Sequence, residues 1–300
     1  MKKRHQYFFI INPAAKNGRV LVAWQRVEDY LKSNKVAYLY AFSRNAEHLA
    51  ELAKEGAEKG AEKDYIIVAV GGDGTVSRIA GALAGTGKAM GLIPAGTGND
   101  FARSLSLPTD PVAACKTVLT GRRTKLDIGL FNGRAFCNVV GAGLDAEVVA
   151  DANNVFKRYC GSLSYVFALL KQLFAYKPPR IKLVVDGEEY VADAWLVAVA
   201  NGRYFGNGMR IAPEADPRDG LLDVIVVSNI SRVTFLRLFP LVYSGKHISL
   251  PVIKTWRGTD ISLFCDKPVS IQADGEFAGK TPLNATVRKK ALEFLLTADE

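Results

Sequence analysis

Tyr65-Ile-Ile-Val-Ala-Val70 runs straight into Gly71-Gly72-Asp73-Gly74-Thr75. The apolar run follows Lys63-Asp64 and ends at the glycine pair, which suits a strand buried on both faces. Helical spacing resumes over residues 75–84. Strand, glycine turn and helix in that order gather backbone N–H groups and the positive end of a helix at one point, where a phosphate fits. Asp73 in such a loop can hold a magnesium ion directly or through water. Thr75 either caps the helix or touches phosphate. A plain glycine-rich turn is the alternative reading.

Working outward, residues 7–11 and 36–42 read as strands, and residues 20–31 and 46–59 as helices. Residues 89–93 form a fourth strand and residues 110–119 a further helix. This alternation predicts a parallel sheet covered by helices. The loop after the fourth strand, Pro94-Ala-Gly-Thr-Gly-Asn-Asp-Phe-Ala-Arg103, is polar. Parallel strands put their carboxyl-end loops on one edge, so it should lie near the first loop. Thr97, Asn99 and Asp100 then serve nucleotide or metal, and Arg103 serves phosphate or an ion pair. Asn99 could instead be only a helix cap.

After Arg122 the pattern changes to short β-rich segments at residues 126–131, 135–140, 181–185, 195–200 and 222–227. Asp-Gly turns punctuate them at Asp186, Asp219 and Asp274. A second, mainly antiparallel domain is expected, with helical insertions near residues 162–175 and 232–243. Glu276, beside Asp274-Gly275, is either a solvated turn residue or a general base. Two look-alikes are set aside. Residues 81–88 miss the P-loop spacing and lack its Ser or Thr. Gly141-Ala-Gly-Leu-Asp-Ala146 matches a dinucleotide fingerprint but has no acid at the ribose-binding distance.

Three hundred residues allow one large domain or two medium ones, and 49% hydrophobic with 23% charged residues excludes a disordered chain. Four scattered cysteines give neither a zinc knuckle nor a disulfide framework, and three histidines argue against histidine-based metal chemistry. The apolar stretch after Met1-Lys-Lys-Arg4 stops at Asn12-Pro13, too short for a signal peptide, so a cytoplasmic chain is expected. The net charge of +9 is concentrated. Residues 152–185 contain no Asp or Glu but carry Lys157, Arg158, Lys171, Lys177, Arg180 and Lys182. Residues 224–259 are again free of acids, with Arg232, Arg237, Lys246, Lys254 and Arg257. Aromatic residues interleave the first block, which suits peripheral contact with an anionic membrane surface. A buried helix with solvated basic ends is the alternative. Nucleic acid is not expected, because no reading motif accompanies the charge.

Taken in order, Asn12-Pro13, the loops at residues 71–75 and 96–103, Lys125-Leu-Asp-Ile-Gly129, and segments 138–148, 201–208, 213–223 and 274–276 resemble the diacylglycerol-kinase catalytic-domain family, in its soluble bacterial branch, itself similar to sphingosine kinases. The resemblance spans residues 7–296. It implies an N-terminal three-layer α/β nucleotide-binding domain (residues 1–125, with 289–300 packing back on it) and a C-terminal β-sandwich for the lipid (residues 126–288). This is a two-domain plan like that of NAD kinases, with the active cleft between the domains. Asp73 would then organise magnesium and phosphate, with Asp100 and Asp127 in the same carboxylate network. Asn12, Lys16, Arg19, Gly71, Gly72, Gly74, Thr75, Thr97, Asn99 and Arg103 would face the nucleotide, and Glu276 would be the catalytic base. Asp219 with backbone carbonyls of Asp216 and Leu221 would match a second magnesium site. Lys16 stands one place earlier than the family's basic residue, and Ser77-Arg78 replace Asn-Glu. The resemblance implies an ATP- and magnesium-dependent kinase acting on a lipid alcohol such as diacylglycerol. An NAD kinase lacks its Asp-Gly and Ser/Thr-rich signature here, and a binding regulator without turnover is the rival from another class. Oligomeric state stays open, a homodimer included.

Overall fold

The computed structural model describes residues 6–59, 65–151 and 173–297. It divides into two compact units, Met1–Ile128 with Arg288–Glu300 and Gly129–Val287. The architecture is an N-terminal α/β domain and a C-terminal β-sandwich.

In the first unit β1 (Gln6–Ile11), β2 (Tyr38–Phe42), β3 (Tyr65–Gly71) and β4 (Ala89–Pro94) are parallel, in the order β2-β1-β3-β4. Glu293 and Phe294, near the chain's end, pair in parallel with Ala89 and Met90 of β4. Helices α1 (Val20–Ser33) and α2 (Ala46–Lys59) follow β1 and β2, and α3 (Asp73–Leu83) follows β3. α1 packs with the helix Pro111–Thr120, and α2 packs with α3. Every residue of β3 after Tyr65 is buried, as a strand covered on both faces requires. Phe9, Trp24, Val27, Leu31, Val68 and Val118 share one core. The helix expected at residues 110–119 begins one residue later, because Asp110 is its cap. Its carboxylate accepts from Val112 and Ala113 N–H, and Pro111 takes the first turn. A short helix, α4 (Asp100–Ser104), forms inside what the sequence presents as a polar loop.

The second unit is antiparallel. β9 (Glu188–Ala200) pairs with β8 (Arg180–Val185) near its start, and with β7 (Val139–Gly143) and β10 (Leu222–Ser228) near its end. It therefore runs from one sheet of the sandwich into the other. Val140, Val197, Val199, Leu222, Ile261 and Ile271 fill the space between them. β13 (Ser270–Ala273) joins β7 and forms a hairpin with β14 (Glu276–Lys280). The helix expected over residues 232–243 is broken at Pro240 into Arg232–Leu238 and Leu241–Ser244. A helix absent from the sequence reading, α6 (Leu144–Asp151), starts directly after β7. Of the insertion expected at residues 162–175, only residues 173–175 lie among the described ones, and Lys157, Arg158 and Lys171 lie outside them.

Candidate active site

The sheet order reverses between β1 and β3, and the carboxyl ends of strands at such a point are where open α/β sheets bind ligands. Asn12 follows β1, and its backbone N–H continues the ladder to Val70 O. Its side-chain Nδ2 donates to Thr75 Oγ1 at 3.0 Å. Thr75 is buried and lies within the first turn of α3, while Gly72 holds the cap position. The reading of Thr75 as a cap is therefore corrected: its hydroxyl ties β1 to α3 across the switch point.

The two glycine loops touch. A Cβ on Gly72 would lie 3.0 Å from Gly96 Cα, and one on Gly96 would collide with Gly72 Cα. Backbone meets backbone there, so neither side can yield. Ala95 N–H donates to Gly71 O at 2.8 Å and holds the loops in register. Asn99 adopts a left-handed conformation (φ 52°) with no side-chain cap bond. Its amide closes its own loop, accepting from Gly96 N–H at 2.9 Å and donating to Gly96 O at 3.2 Å.

Asp73, first residue of α3, accepts Phe101 N–H at 2.9 Å, and Asp100, first residue of α4, is buried beside it in sequence. Two acids thus start two helices, and the bond from Phe101 N–H to Asp73 links them. Thr97 and Arg103 are exposed, and Arg103 Nε donates to Gly98 O at 3.1 Å. Asp127 is 1% exposed and accepts Lys290 N–H at 2.6 Å, where Lys290 is left-handed (φ 52°). This bond ties Asp127 to the strand Leu283–Leu296. Ala15–Gly18 is a 3-10 turn and Arg19 is exposed; the side chain of Lys16 lies outside the described ones.

In the second unit Glu276 is exposed on the turn between β13 and β14. Asp274 (φ 47°) and Gly275 (φ 83°) are both left-handed, as a two-residue hairpin turn requires. The Asp274 carboxylate accepts backbone N–H groups of Cys137, Asn138 and Val139 at 2.8–3.1 Å. Gly275 N–H donates to Gln272 Oε1 at 3.0 Å. Glu276 therefore stands on a turn anchored from two sides.

The same unit holds an apolar cavity of about 90 Å³, walled by Val148, Leu196, Ala198, Met209, Phe235 and Phe239 among others. Among the described residues two titratable side chains face it, Asp145 and His247. Burial pushes the Asp145 carboxyl up to about 6 against the opposing Gln272 hydrogen bond. Its Oδ1 has no partner among the described residues. Burial pushes the His247 imidazole below its ordinary value. Its Nε2 lies 3.0 Å from Ile211 O, and its Nδ1 meets no partner among the described residues. The sequence reading missed both residues. The available signal was an acid inside the apolar run 139–149, within the fingerprint set aside above.

At the turn expected to hold a second magnesium, Asp216 O accepts Asp219 N–H at 3.3 Å. The Asp219 carboxylate accepts Leu221 N–H at 2.9 Å and the Arg257 guanidinium. Arg218 forks onto both carboxylate oxygens of Asp216 at 2.7 and 3.1 Å. A divalent cation needs about six oxygen ligands and would have to displace Arg257. As arranged, these donors do not fit it. Asp73 and Asp100 supply carboxylate oxygens, the donor type that magnesium takes.

Residues 6–131 match the model of the diacylglycerol kinase catalytic domain, and residues 138–296 match the YegS C-terminal NAD kinase beta sandwich-like domain. A diacylglycerol kinase of Mycobacterium tuberculosis is 35% identical over 293 residues, covering 95% of this chain and 93% of that protein. A diacylglycerol kinase of Bacillus subtilis is 28% identical over 247 residues, covering 81% and 82%. Among solved structures, a diacylglycerol kinase from Bacillus anthracis superposes with a TM-score of 0.78 at 25% identity, covering 99% of each chain. Another structure from that organism reaches 0.83 at 24% identity, over 99% of this chain and 97% of that one.

Proposed function

Because this chain belongs to the diacylglycerol kinase family and is a kinase, we propose that it transfers the terminal phosphoryl of ATP to the hydroxyl of a lipid alcohol, with diacylglycerol as the first candidate. The observation that carries the reading is the contact of Gly72 with Gly96 beside Asp73. Glycine at both positions lets two loops share one small space, and the polar groups around it are oxygens and amides suited to phosphate and its cation.

Phosphoryl transfer asks the protein mainly for position and charge. The Gly71–Gly74 loop and the exposed Thr97 and Arg103 side chains would bind and orient the nucleotide. Asp73, with Asp100, would hold magnesium; when bound, that ion withdraws negative charge from the phosphates. Glu276 would take the proton of the acceptor hydroxyl as the new O–P bond forms and the bond to ADP breaks. Asn12 acts one step back, holding Thr75 and with it the first turn of α3.

The apolar cavity favours a lipid acceptor over a small polar one, because its walls offer acyl chains burial at roughly 25 cal/mol per Å². The acid-free basic stretches support contact with an anionic membrane surface, and no helix among the described residues is long and apolar enough to cross one. A labelled-ATP transfer screen over lipid alcohols in mixed micelles, with NAD as the soluble control, tests the reading. Label in a lipid supports it, and label in NAD alone overturns it. Flotation with anionic and neutral liposomes tests the surface contact; equal, salt-insensitive binding to both refutes it.

A further inference from the structure

Gln272 is wholly buried on β13, a strand that the sequence presents as an apolar hairpin arm. Both ends of its amide are in use. Nε2 donates to Asp145 Oδ2 at 3.2 Å, and Oε1 accepts Gly275 N–H at 3.0 Å. One bond therefore ends on the acid in the cavity wall, and the other on the residue before Glu276. Pairing between β13 and β14 shifts register between Ile271 and Gln272, and bulges of this kind re-aim side chains beside functional sites. Across the ladder Gln272 faces Gly141 of β7. A Cβ on Gly141 would collide with Asp145 Oδ2 and come within 2.8 Å of Gln272 Nε2. Glycine at that position, whose φ lies outside the left-handed region, thus keeps open the space that the Asp145–Gln272 bond fills.

We propose that Gln272 is a positioning residue whose amide couples Asp145 in the cavity wall to the turn carrying Glu276, so that a lipid seated in the cavity steadies that turn for proton transfer. Asp145 Oδ1, having no protein partner among the described residues, is the atom that in the protonated acid would donate its O–H to a lipid ester carbonyl. A ligand bonded there fixes the carboxylate, the carboxylate fixes the Gln272 amide, and the amide fixes Gly275. The inference rests on the lipid-kinase reading above.

Three variants separate the parts. Gln272→Leu removes both bonds. Gln272→Glu keeps an acceptor for Gly275 but sets carboxylate against carboxylate at Asp145. Gly141→Ala obstructs the Asp145 bond without altering either partner. With dioctanoylglycerol in mixed micelles, Gln272→Leu and Gly141→Ala are each expected to lower kcat about tenfold, the value of one buried hydrogen bond. KM for ATP should stay within about twofold of wild type. By NMR hydrogen exchange, the same micelles should slow exchange of the Gly275 amide about fivefold in wild type. They should leave it unchanged in all three variants. Equal slowing in Gln272→Leu overturns the coupling, as does a kcat loss matched by an equal rise in KM for ATP. A wild type that transfers phosphate to no lipid overturns the functional reading instead. Gly275 exchange is read without turnover, so the two failures are told apart.

Discussion

The glycine loops of the first unit and the apolar cavity of the second solve opposite problems. At the loops, side chains are nearly absent, and what matters is how closely two backbones approach: Gly72 against Gly96, with Asp73 joined to Phe101 N–H. In the cavity the backbone recedes and side chains do the shaping, with a half-buried acid and a buried imidazole set among apolar walls. The lesson is one of tolerance. A contact between backbones has no slack, whereas an apolar wall can repack. Thr97 and Arg103 at the loops remain in reach of water; the titratable groups in the cavity are held away from it, so their protonation bears on stability.

The contrast is most sharply tested at Asp73. Asp73→Ala should lower phosphate transfer about a thousandfold with far-UV circular dichroism unchanged. Gly96→Ala should cost nearly as much, since its Cβ meets Gly72 backbone. Near-normal turnover by either variant in the labelled-ATP assay breaks the assignment of the phosphate site.

Next in size is the effect of the buried acid. Asp145 holds its proton more tightly folded than unfolded, so its contribution is complete below about pH 4 and is lost as pH rises through about 6. Above that, the ionised carboxylate costs on the order of 3 kcal/mol. Asp145→Asn should therefore be more stable than wild type by about that amount at neutral pH and equal to it near pH 4. Urea midpoints at both pH values check this. Nearby Glu147 pushes in the same direction when charged, but burial is the larger cause, so Glu147→Gln should keep most of the slope.

A smaller effect is expected from filling the cavity. Ala198→Phe should raise KM for dioctanoylglycerol about tenfold and leave KM for ATP within about twofold. Steady-state kinetics in mixed micelles decide it; an equal rise for both substrates would mean that the two regions are not separable in this way. The smallest change is expected at the turn of Asp219. Arg257→Ala should lose about 1 kcal/mol, as a half-exposed ion pair does. Thermal melts with and without magnesium check the fit of a cation there: the variant should gain more from magnesium than wild type does.

Legibility in the sequence differed between the regions for a physical reason. Gly71–Thr75 and Gly96–Arg103 are contiguous, and the parallel alternation around them implies that their loops share an edge. Asn99 illustrates the limit, since residue order could not show that it stands at the cap position of α4 with its amide closed on Gly96. The cavity was not readable. Its walls come from α6, β9, the loop near Phe205 and the helix at Arg232–Leu238, which are far apart in the chain. Gln272 shows the same limit, because its buried amide makes sense only once β7 has delivered Gly141 and α6 has delivered Asp145 to it.

Residue order by itself determined the α/β-then-antiparallel succession, the two glycine loops and the family, because these depend on local periodicity and on residues adjacent in the chain. Only the tertiary structure decided that Thr75 ties down β1, that Asp127 holds Lys290, that Arg257 meets Asp219, and that an acid faces an apolar cavity. Each of those is a pairing over long sequence separation. Such a pairing is selected by the packing of whole sheets, which no local pattern encodes.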